Sequence, residues 1–311
     1  MKVLFTGGSS FTGYWFIREL ASQGHDVVAV FRRSVDDYID DLRRKRIDRL
    51  AGICHPVFGT SFGDDRFLGL IKERNFDLLC CHGAEVTNYN KPDFDLIAAV
   101  QSNTYRLPLM LDALANAGCN KIVLTGSVFE NDEGAGSADL RAFSPYGLSK
   151  GFTWQIFRYL AQVRSITLGK FVIANPFGPY EERRFTHYLM KCWAEETTAS
   201  VNAPNYVRDN IHVSLLAKAY ARFAATQPEG ISRINPSGYI ESQGAFTHRV
   251  AVQMRQRLRW KCDFVLKNQT EFPEPRTRIN TTYCDPGILD WSETAAWDGL
   301  AAYYGELFGA R

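Results

Sequence analysis

Val3-Leu4-Phe5-Thr6-Gly7-Gly8-Ser9-Ser10-Phe11-Thr12-Gly13 passes within eleven residues from a short apolar run to a cluster of small residues, and Trp15 to Ala21 continues with helical apolar spacing. A strand, a tight loop and a helix in that order bring unpaired backbone N–H groups to a helix N-terminus, where they favour an anion. Glycine at positions 7 and 13 lets the chain turn sharply and approach a pyrophosphate closely. Gly7, Ser9, Ser10, Phe11, Thr12 and Gly13 are therefore the expected contacts of a dinucleotide. The spacing is Gly-x-x-Ser-x-x-Gly, so Ser10 puts a Cβ where a third glycine is usual.

Outward from this loop, short β-rich runs alternate with longer helical patterns. Lys2 to Phe5, Asp26 to Phe31, Ile53 to Phe58, Leu78 to Cys81, Lys121 to Thr125 and Thr167 to Ile173 read as strands. Trp15 to Ala21, Phe67 to Lys72, Leu96 to Ala117 and Phe152 to Val163 read as helices, with Gly24 and Gly118 as stops. This alternation specifies an α/β fold of Rossmann type, a doubly wound parallel sheet. Past about Asn175 the spacing becomes irregular, cut by Pro176, Pro179, Pro204, Pro228, Pro236, Pro273, Pro275 and Pro286. The expected division is an NAD(P)-binding domain over residues 1–174 and a smaller C-terminal substrate lobe over 175–311, some of whose segments return to the first domain. A cleft beyond the carboxyl ends of the strands is expected between them.

The 311 residues are 45% hydrophobic, enough for a large core, and the formal net charge of +2 offers no bulk attraction to nucleic acid or an anionic membrane. Arg43-Arg44-Lys45-Arg46 follows Asp36, Asp37, Asp40 and Asp41 and reads as an ion-paired helix face. Seven cysteines, an odd number with no CxxC pair, argue for a reducing compartment and against a structural metal. No signal peptide is visible and no segment approaches the roughly 18 apolar residues that span a bilayer, so the expected location is cytoplasmic.

Of the 14 tyrosines only Tyr146 has a lysine four residues on, Lys150. That spacing puts both side chains on one helical face, where an ammonium favours the phenolate and draws a tyrosine pKa down from about 10. After Phe31 the acidic residue that often binds a ribose diol is missing and Arg32-Arg33 stands there, which suits the 2′-phosphate of NADP better than NAD.

With these residues the chain resembles the extended short-chain dehydrogenase/reductase (SDR) family, the NAD(P)-dependent epimerases, dehydratases and reductases of nucleotide sugars. The resemblance is carried by the loop Thr6–Gly13, by His82-Gly83-Ala84 as a cofactor wall, by Asn103 as the start of an Asn-led helix, and by Tyr146 with Lys150. It extends to Asn175-Pro176-Phe177-Gly178-Pro179 and to Arg208-Asp209-Asn210-Ile211-His212-Val213. It implies that His82 and Ala84 touch the cofactor and that Tyr146 exchanges a proton with a sugar oxygen. Lys150 would lower the pKa of Tyr146 and bind the nicotinamide ribose. A hydroxyl beside the tyrosine is also implied: Thr125, counted back from Val128-Phe129, with Ser127 on the same strand face as the second candidate.

Departures narrow the reaction. Gly126-Ser127 stands where the family's dehydratases carry an Asp-Glu pair, which argues against dehydration, and no cysteine takes the place of Ser127 as in the family's 3,5-epimerising reductases. His187 falls near the histidine of those reductases but reads as a surface or packing residue. Gly59-Thr60-Ser61-Phe62-Gly63 departs from the family's usual adenine-binding Gly-Asp-x-x-Asp. For the substrate's pyrophosphate, Arg208 is the first candidate, with Arg276 and Arg278 of a proline-stiffened loop second, and Asn175 is a candidate sugar or phosphate contact. The leading expectation is an NADPH-dependent reductase of a 4-keto nucleotide sugar. The alternatives are a 4-epimerase that retains NAD and a non-catalytic dinucleotide-sensing protein. Excess apolar residues on the helices Leu96 to Ala117 and Phe152 to Val163 suggest a homodimer through those helices.

Overall fold

The computed structural model describes residues 1–89 and 91–309. Along the chain run β1 (Lys2–Thr6), α1 (Phe11–Ser22), β2 (Asp26–Phe31), α2 (Asp41–Asp48), β3 (His55–Phe58), α3 (Asp65–Glu73), β4 (Leu78–Cys81), α4 (Leu96–Asn103), α5 (Leu107–Asn116), β5 (Lys121–Ser127), β6 (Ala135–Gly136), α6 (Pro145–Gln162) and β7 (Thr167–Ile173). They continue as β8 (Asn175–Phe177), α7 (Phe185–Ala194), β9 (Ala199–Val201), β10 (Val207–His212), α8 (Val213–Thr226), β11 (Ile231–Ile234), β12 (Pro236–Ser237), β13 (Tyr239–Ser242), α9 (Gln243–Leu258), β14 (Phe264–Leu266), β15 (Thr277–Ile279), β16 (Thr282–Tyr283) and α10 (Glu293–Phe308).

Two compact units result, and neither is continuous in sequence. The first comprises Met1–Glu133, Arg141–Ile173 and Ala217–Asn235, and the second Gly134–Leu140, Ala174–Leu216 and Pro236–Arg311. Beside the boundary near residue 174, two segments change units, for a reason that lies in strand pairing. β11 pairs parallel with β7 and carries residues 217–235 into the first unit, whereas β6 pairs antiparallel with β15 and carries residues 134–140 into the second.

In the first unit seven strands form one sheet in the order β11-β7-β5-β4-β1-β2-β3, every pair parallel. Leu168, Ile122, Leu79, Leu4 and Val28 sit opposite one another across five neighbouring strands. They are buried in one cluster with Phe67, Met110, Leu111, Leu114 and Phe157 of the helices. The strands are apolar runs because both faces are covered, as a parallel sheet wrapped by helices requires. Strand order reverses beside β1, so the switch point lies at the carboxyl ends of β1 and β4.

Helix ends follow side-chain caps. Ser10, Asp40, Asp64, Asp95 and Ser144 each accept the backbone N–H three residues on. The expected helix over Leu96 to Ala117 is two helices, because Arg106 adopts a left-handed conformation (φ 50°) and Pro108 lacks the N–H that would continue the ladder. Asn103 consequently ends α4 and does not start a helix. β3 begins at His55, since Ile53 N and Cys54 N are spent on the Leu50 carbonyl.

In the second unit β13, β10, β15 and β6 form a sheet in that order, with β8 added parallel to β10. Phe177, Trp193, Phe246, Met254, Trp297 and Tyr304 fill its core, drawn from β8 and from α7, α9 and α10. Among the described residues no helix is long and apolar enough to cross a membrane.

Candidate active site and cofactor cradle

The loop after β1 is built around glycine. Gly7 has φ 80°, and a Cβ on it would lie 2.7 Å from Gly83 N; a Cβ on Gly13 would lie 2.3 Å from the Gly7 carbonyl. Neither place admits a larger residue. Ser10 uses the side chain that sets it apart from glycine as the cap of α1: its Oγ donates to Gly7 O (2.9 Å) and accepts from Gly13 N (3.1 Å). Ser9 O accepts from Arg46 Nη1 at 3.2 Å, and the Arg46 guanidinium lies 5.9 Å from the centre of the Phe11 ring. Arg46 has no exposed surface, unlike the ion-paired helix face expected for it. Lys45 pairs at the surface with Asp41, one of the expected carboxylates, and Arg44 pairs with Asp48 instead.

His82 joins this loop to β5. Its Nε2 is 3.0 Å from Ser10 Oγ and 3.1 Å from Thr12 Oγ1, and its Nδ1 is 3.0 Å from Thr125 Oγ1. Burial and the nearby Lys150 push His82 down to about 3, so the ring is neutral and carries one proton. With the Ser10 proton on Gly7 O, a hydrogen on Nε2 would face Ser10 and Thr12, and Thr125 would then donate to Nδ1. Thr6 Oγ1 accepts from His82 N and Gly83 N, which fixes the wall that includes half-buried Ala84.

Ser144 caps α6 and Pro145 follows at its first position, which sets Tyr146 and Lys150 in the first two turns. Lys150 is buried and donates from Nζ to Thr125 O at 2.6 Å. Burial pushes its pKa down and the carboxylate of Glu130 pulls it back up. Tyr146 is half-buried, edge-on to Tyr89 (5.4 Å) and Phe94 (6.0 Å). Ser127, also half-buried, accepts from Phe129 N at 3.2 Å through Oγ.

At the end of β2, Arg32 is ion-paired with Glu85 at 3.2 Å, and Arg33 is exposed, its carbonyl accepting from Gly59 N (3.1 Å). Burial raises the pKa of Glu85, yet hydrogen bonds from Thr87 and Arg32 leave it below the usual carboxylate value. Asn103 accepts from Glu85 N at 2.9 Å and donates to Thr153 Oγ1 at 3.4 Å, tying this wall to α6.

The second unit holds a cavity of about 660 Å³ lined by Phe185, Tyr188, Ser200, Asn202, Tyr206, Arg208, Gln243 and Glu274, among others. Arg208 stacks 4.4 Å over the Tyr206 ring, donates to the carbonyls of Val207, Pro275 and Arg276, and pairs with Glu274 at 3.1 Å. Arg276 is exposed over Phe272, and Arg278 is fully buried in β15, so the expected loop is partly a strand. Asn175 Nδ2 is buried without a hydrogen-bond partner. His187 packs its ring against Tyr304 and Phe308.

Several residues escaped sequence reading: Glu85 on Arg32, Arg46 under the loop, Tyr206 and Glu274 around Arg208, and the buried group Lys170, Glu130 and Glu133. Only the last left a signal, a lysine in the middle of the apolar run Thr167 to Ile173.

Residues 3–235 match the family model described as the NAD dependent epimerase/dehydratase family. No curated protein matches the chain. Among solved structures, the UDP-glucose 4-epimerase of Thermotoga maritima with UDP-glucose superposes with a TM-score of 0.75 at 15% identity, covering 99% of both chains. The UDP-glucuronic acid 4-epimerase of Bacillus cereus, in complex with UDP-glucuronic acid and NAD, gives 0.73 at 17% identity over 99% of this chain and 100% of that one. The UDP-glucose-4-epimerase of Stenotrophomonas maltophila with bound NAD gives 0.72 at 22% identity over 100% of both. At these identities the structures establish a shared fold.

Proposed function

The chain belongs to the NAD-dependent epimerase/dehydratase family, and on that premise we propose that it is an enzyme acting on a nucleotide sugar, a 4-epimerase that works with NAD. The class rests on one observation, the placement of Tyr146 and Lys150 in the first two turns of α6 with Lys150 fixed to the end of β5. The cradle fits a dinucleotide because Cβ atoms at Gly7 and Gly13 have no room, which leaves a bare backbone at a capped helix N-terminus. Gly7, Ser9, Ser10, Phe11, Thr12 and Gly13 would hold the pyrophosphate, Ala84 and His82 would line the wall, and Lys150 would bind the nicotinamide ribose. Bound there, nicotinamide supplies the hydride acceptor and donor.

Tyr146 takes the proton of the sugar hydroxyl as its carbon is oxidised and returns a proton to the oxygen when the carbon is reduced on its other face. Hydride and proton both come back, so no co-reactant is consumed. Lys150 favours the phenolate that accepts the proton. Ser127 is the better hydroxyl for holding the reacting oxygen, because Thr125 Oγ1 is engaged by His82 Nδ1 and its side chain is buried. In the other unit Arg208 would meet the pyrophosphate and the unpartnered Asn175 Nδ2 would meet sugar or phosphate oxygen.

NAD is favoured over NADP because Glu85 already neutralises Arg32, and its carboxylate opposes a second anion there. A second reading, NADPH-dependent reduction of a 4-keto nucleotide sugar, is favoured by Arg32 and Arg33 standing directly after β2 with no acidic residue between. The apolar surface of Ile97, Leu109, Phe152 and Tyr159, exposed on α4, α5 and α6, with Val163 just past the end of α6, supports a homodimer through these helices. Mass spectrometry of the purified protein should find retained NAD, and incubation with UDP-hexoses should interconvert 4-epimers. Tyr146→Phe should cost about 10²- to 10⁴-fold in turnover with NAD still bound. Consumption of NADPH with a 4-keto nucleotide sugar and no epimerisation would refute the 4-epimerase reading.

A further inference from the structure

Four charged side chains are buried behind the end of β5, and only Lys150 has a part in the chemistry above. Lys170, midway along β7, places Nζ 2.5 Å from Glu130 Oε2 and 2.5 Å from Glu133 Oε1, with the centre of the Trp154 ring 5.0 Å away. A buried ion pair is poorly explained by stability, since apolar residues of similar volume often serve as well. Its geometry points to the neighbouring turn. The other oxygen of Glu130, Oε1, accepts from Ser127 N at 2.7 Å, and Glu130 N donates back to Ser127 O at 3.1 Å. A Cβ on Gly126 would lie 2.6 Å from Lys170 Cε and 2.9 Å from Glu130 Oε1, so the cluster demands glycine at that place.

On its other side the same turn is pressed against α6. A Cβ on Gly147 would lie 2.2 Å from Phe129 O, and one on Gly151 would lie 2.4 Å from Asn131 Oδ1. These two glycines share one helix face with a spacing of four, and they seat the helix that carries Tyr146 and Lys150 directly on residues 129–131.

We propose that Glu130, anchored by Lys170, is a positioning residue for the Tyr146 and Lys150 pair: it pins the Ser127 turn on which α6 sits and holds a negative charge behind the Lys150 ammonium. The inference rests on the functional reading only in taking Tyr146 as the proton-transfer group. Lys150 is faced by Glu130 from the turn, Lys170 from β7, Cys81 from β4 and His82 beyond it. Glu130 is faced by Lys170 and Lys150, with Glu133 and Arg233 reached through Lys170 and Glu133. Of the groups around Lys150, Glu130 contributes the largest pull toward the charged form. Without that charge Lys150 gives up its proton more readily, and the Tyr146 phenolate loses its counter-charge.

The test needs no substrate. Tyrosinate absorbance is titrated for the wild-type chain and for Glu130→Gln, each minus the same protein carrying Tyr146→Phe, so that the difference reports Tyr146. Glutamine keeps an acceptor for Ser127 N and removes the charge. The Tyr146 midpoint should rise by about one pH unit in Glu130→Gln, and Glu133→Gln, which takes a carboxylate from Lys170 but faces Lys150 less directly, should move it by much less. Should Glu130→Gln fail to fold, Glu130→Gln combined with Lys170→Met removes one charge of each sign and should still raise the midpoint, by a smaller amount. An unmoved midpoint, or equal shifts for Glu130→Gln and Glu133→Gln, overturns the proposal. Shifted midpoints in a chain that turns over no nucleotide sugar would uphold it and refute the functional reading instead.

Discussion

Glu181 makes the pH dependence of stability a quantitative test of the second unit. The residue is fully buried, and burial is the main cause that raises its carboxyl to about 8 from an ordinary 4.5; hydrogen bonds from Tyr304 Oη (2.5 Å) and Gly178 N, with the charge of Arg184, pull it back only partly. Between pH 4.5 and 8 the folded chain therefore holds a proton on Glu181 that the unfolded chain has released. The folded state binds more protons, so stability falls as pH rises through that window and levels off above the folded value. A shift of this size corresponds to about 4 kcal/mol lost between pH 5 and pH 8, or about 6 °C in midpoint for a chain of this length. Glu181→Gln has no proton to lose and keeps a donor and an acceptor for Tyr304. Thermal unfolding of both proteins at half-unit steps from pH 5 to pH 9 should give curves that separate, the wild type losing stability relative to Glu181→Gln up to about pH 8. Subtracting the variant removes the contribution of every other titrating group. Curves that run parallel across the window would show that Glu181 is ionised in the folded chain, and would refute the reasoning from burial.

Other outcomes follow from the same geometry. Gly7→Ala should destabilise the chain by at least about 1–2 kcal/mol, from the left-handed backbone alone, and abolish dinucleotide binding, because the new Cβ would lie 2.7 Å from Gly83 N; denaturant unfolding and fluorescence titration with NADH read the two effects. Glu85→Gln should release Arg32 and improve NADPH affinity relative to NADH by roughly fivefold, the worth of one partly exposed ion pair, and unchanged selectivity in parallel titrations would mean that Arg32 does not face the 2′ position. Arg208→Lys should weaken uridine diphosphate by about 2 kcal/mol, roughly 30-fold, since the fork and its stacking on Tyr206 are both lost; calorimetry decides it. Light scattering at micromolar concentration should report twice the mass of one chain, falling to one in Tyr159→Glu with Phe152→Glu, and a wild-type monomer would discard the helix-mediated dimer.

The alternation of apolar runs and helical periods determined the parallel sheet, because a strand buried on both faces must be continuously apolar and the chain between parallel strands must cross over. The glycine loop was equally legible, since Gly7 takes a left-handed φ of 80° in the turn and Gly13 packs on the Gly7 carbonyl, both local to a strand, a turn and a helix, while the contact of Gly7 with Gly83 came only with the fold. So was the spacing of Tyr146 and Lys150, a property of the helix alone. What the sequence could not carry was every relation that depends on pairing between distant segments. Residues 134–140 and 217–235 change units because β6 and β11 find partners more than sixty residues away in β15 and β7. Arg43 to Arg46 read as one ion-paired helix face, yet helix rotation turns Arg46 inward to the Ser9 carbonyl while Arg44 and Lys45 stay at the surface. Thr125 and Ser127 share a strand face and were equivalent by period. Only the fold brings His82 against the hydroxyl of one and Glu130 to the backbone of the other. Local patterns are set by bond geometry and solvent, which the sequence contains. Which charge meets which is set by the packing of segments far apart in the chain, and that exists only once the tertiary structure has formed.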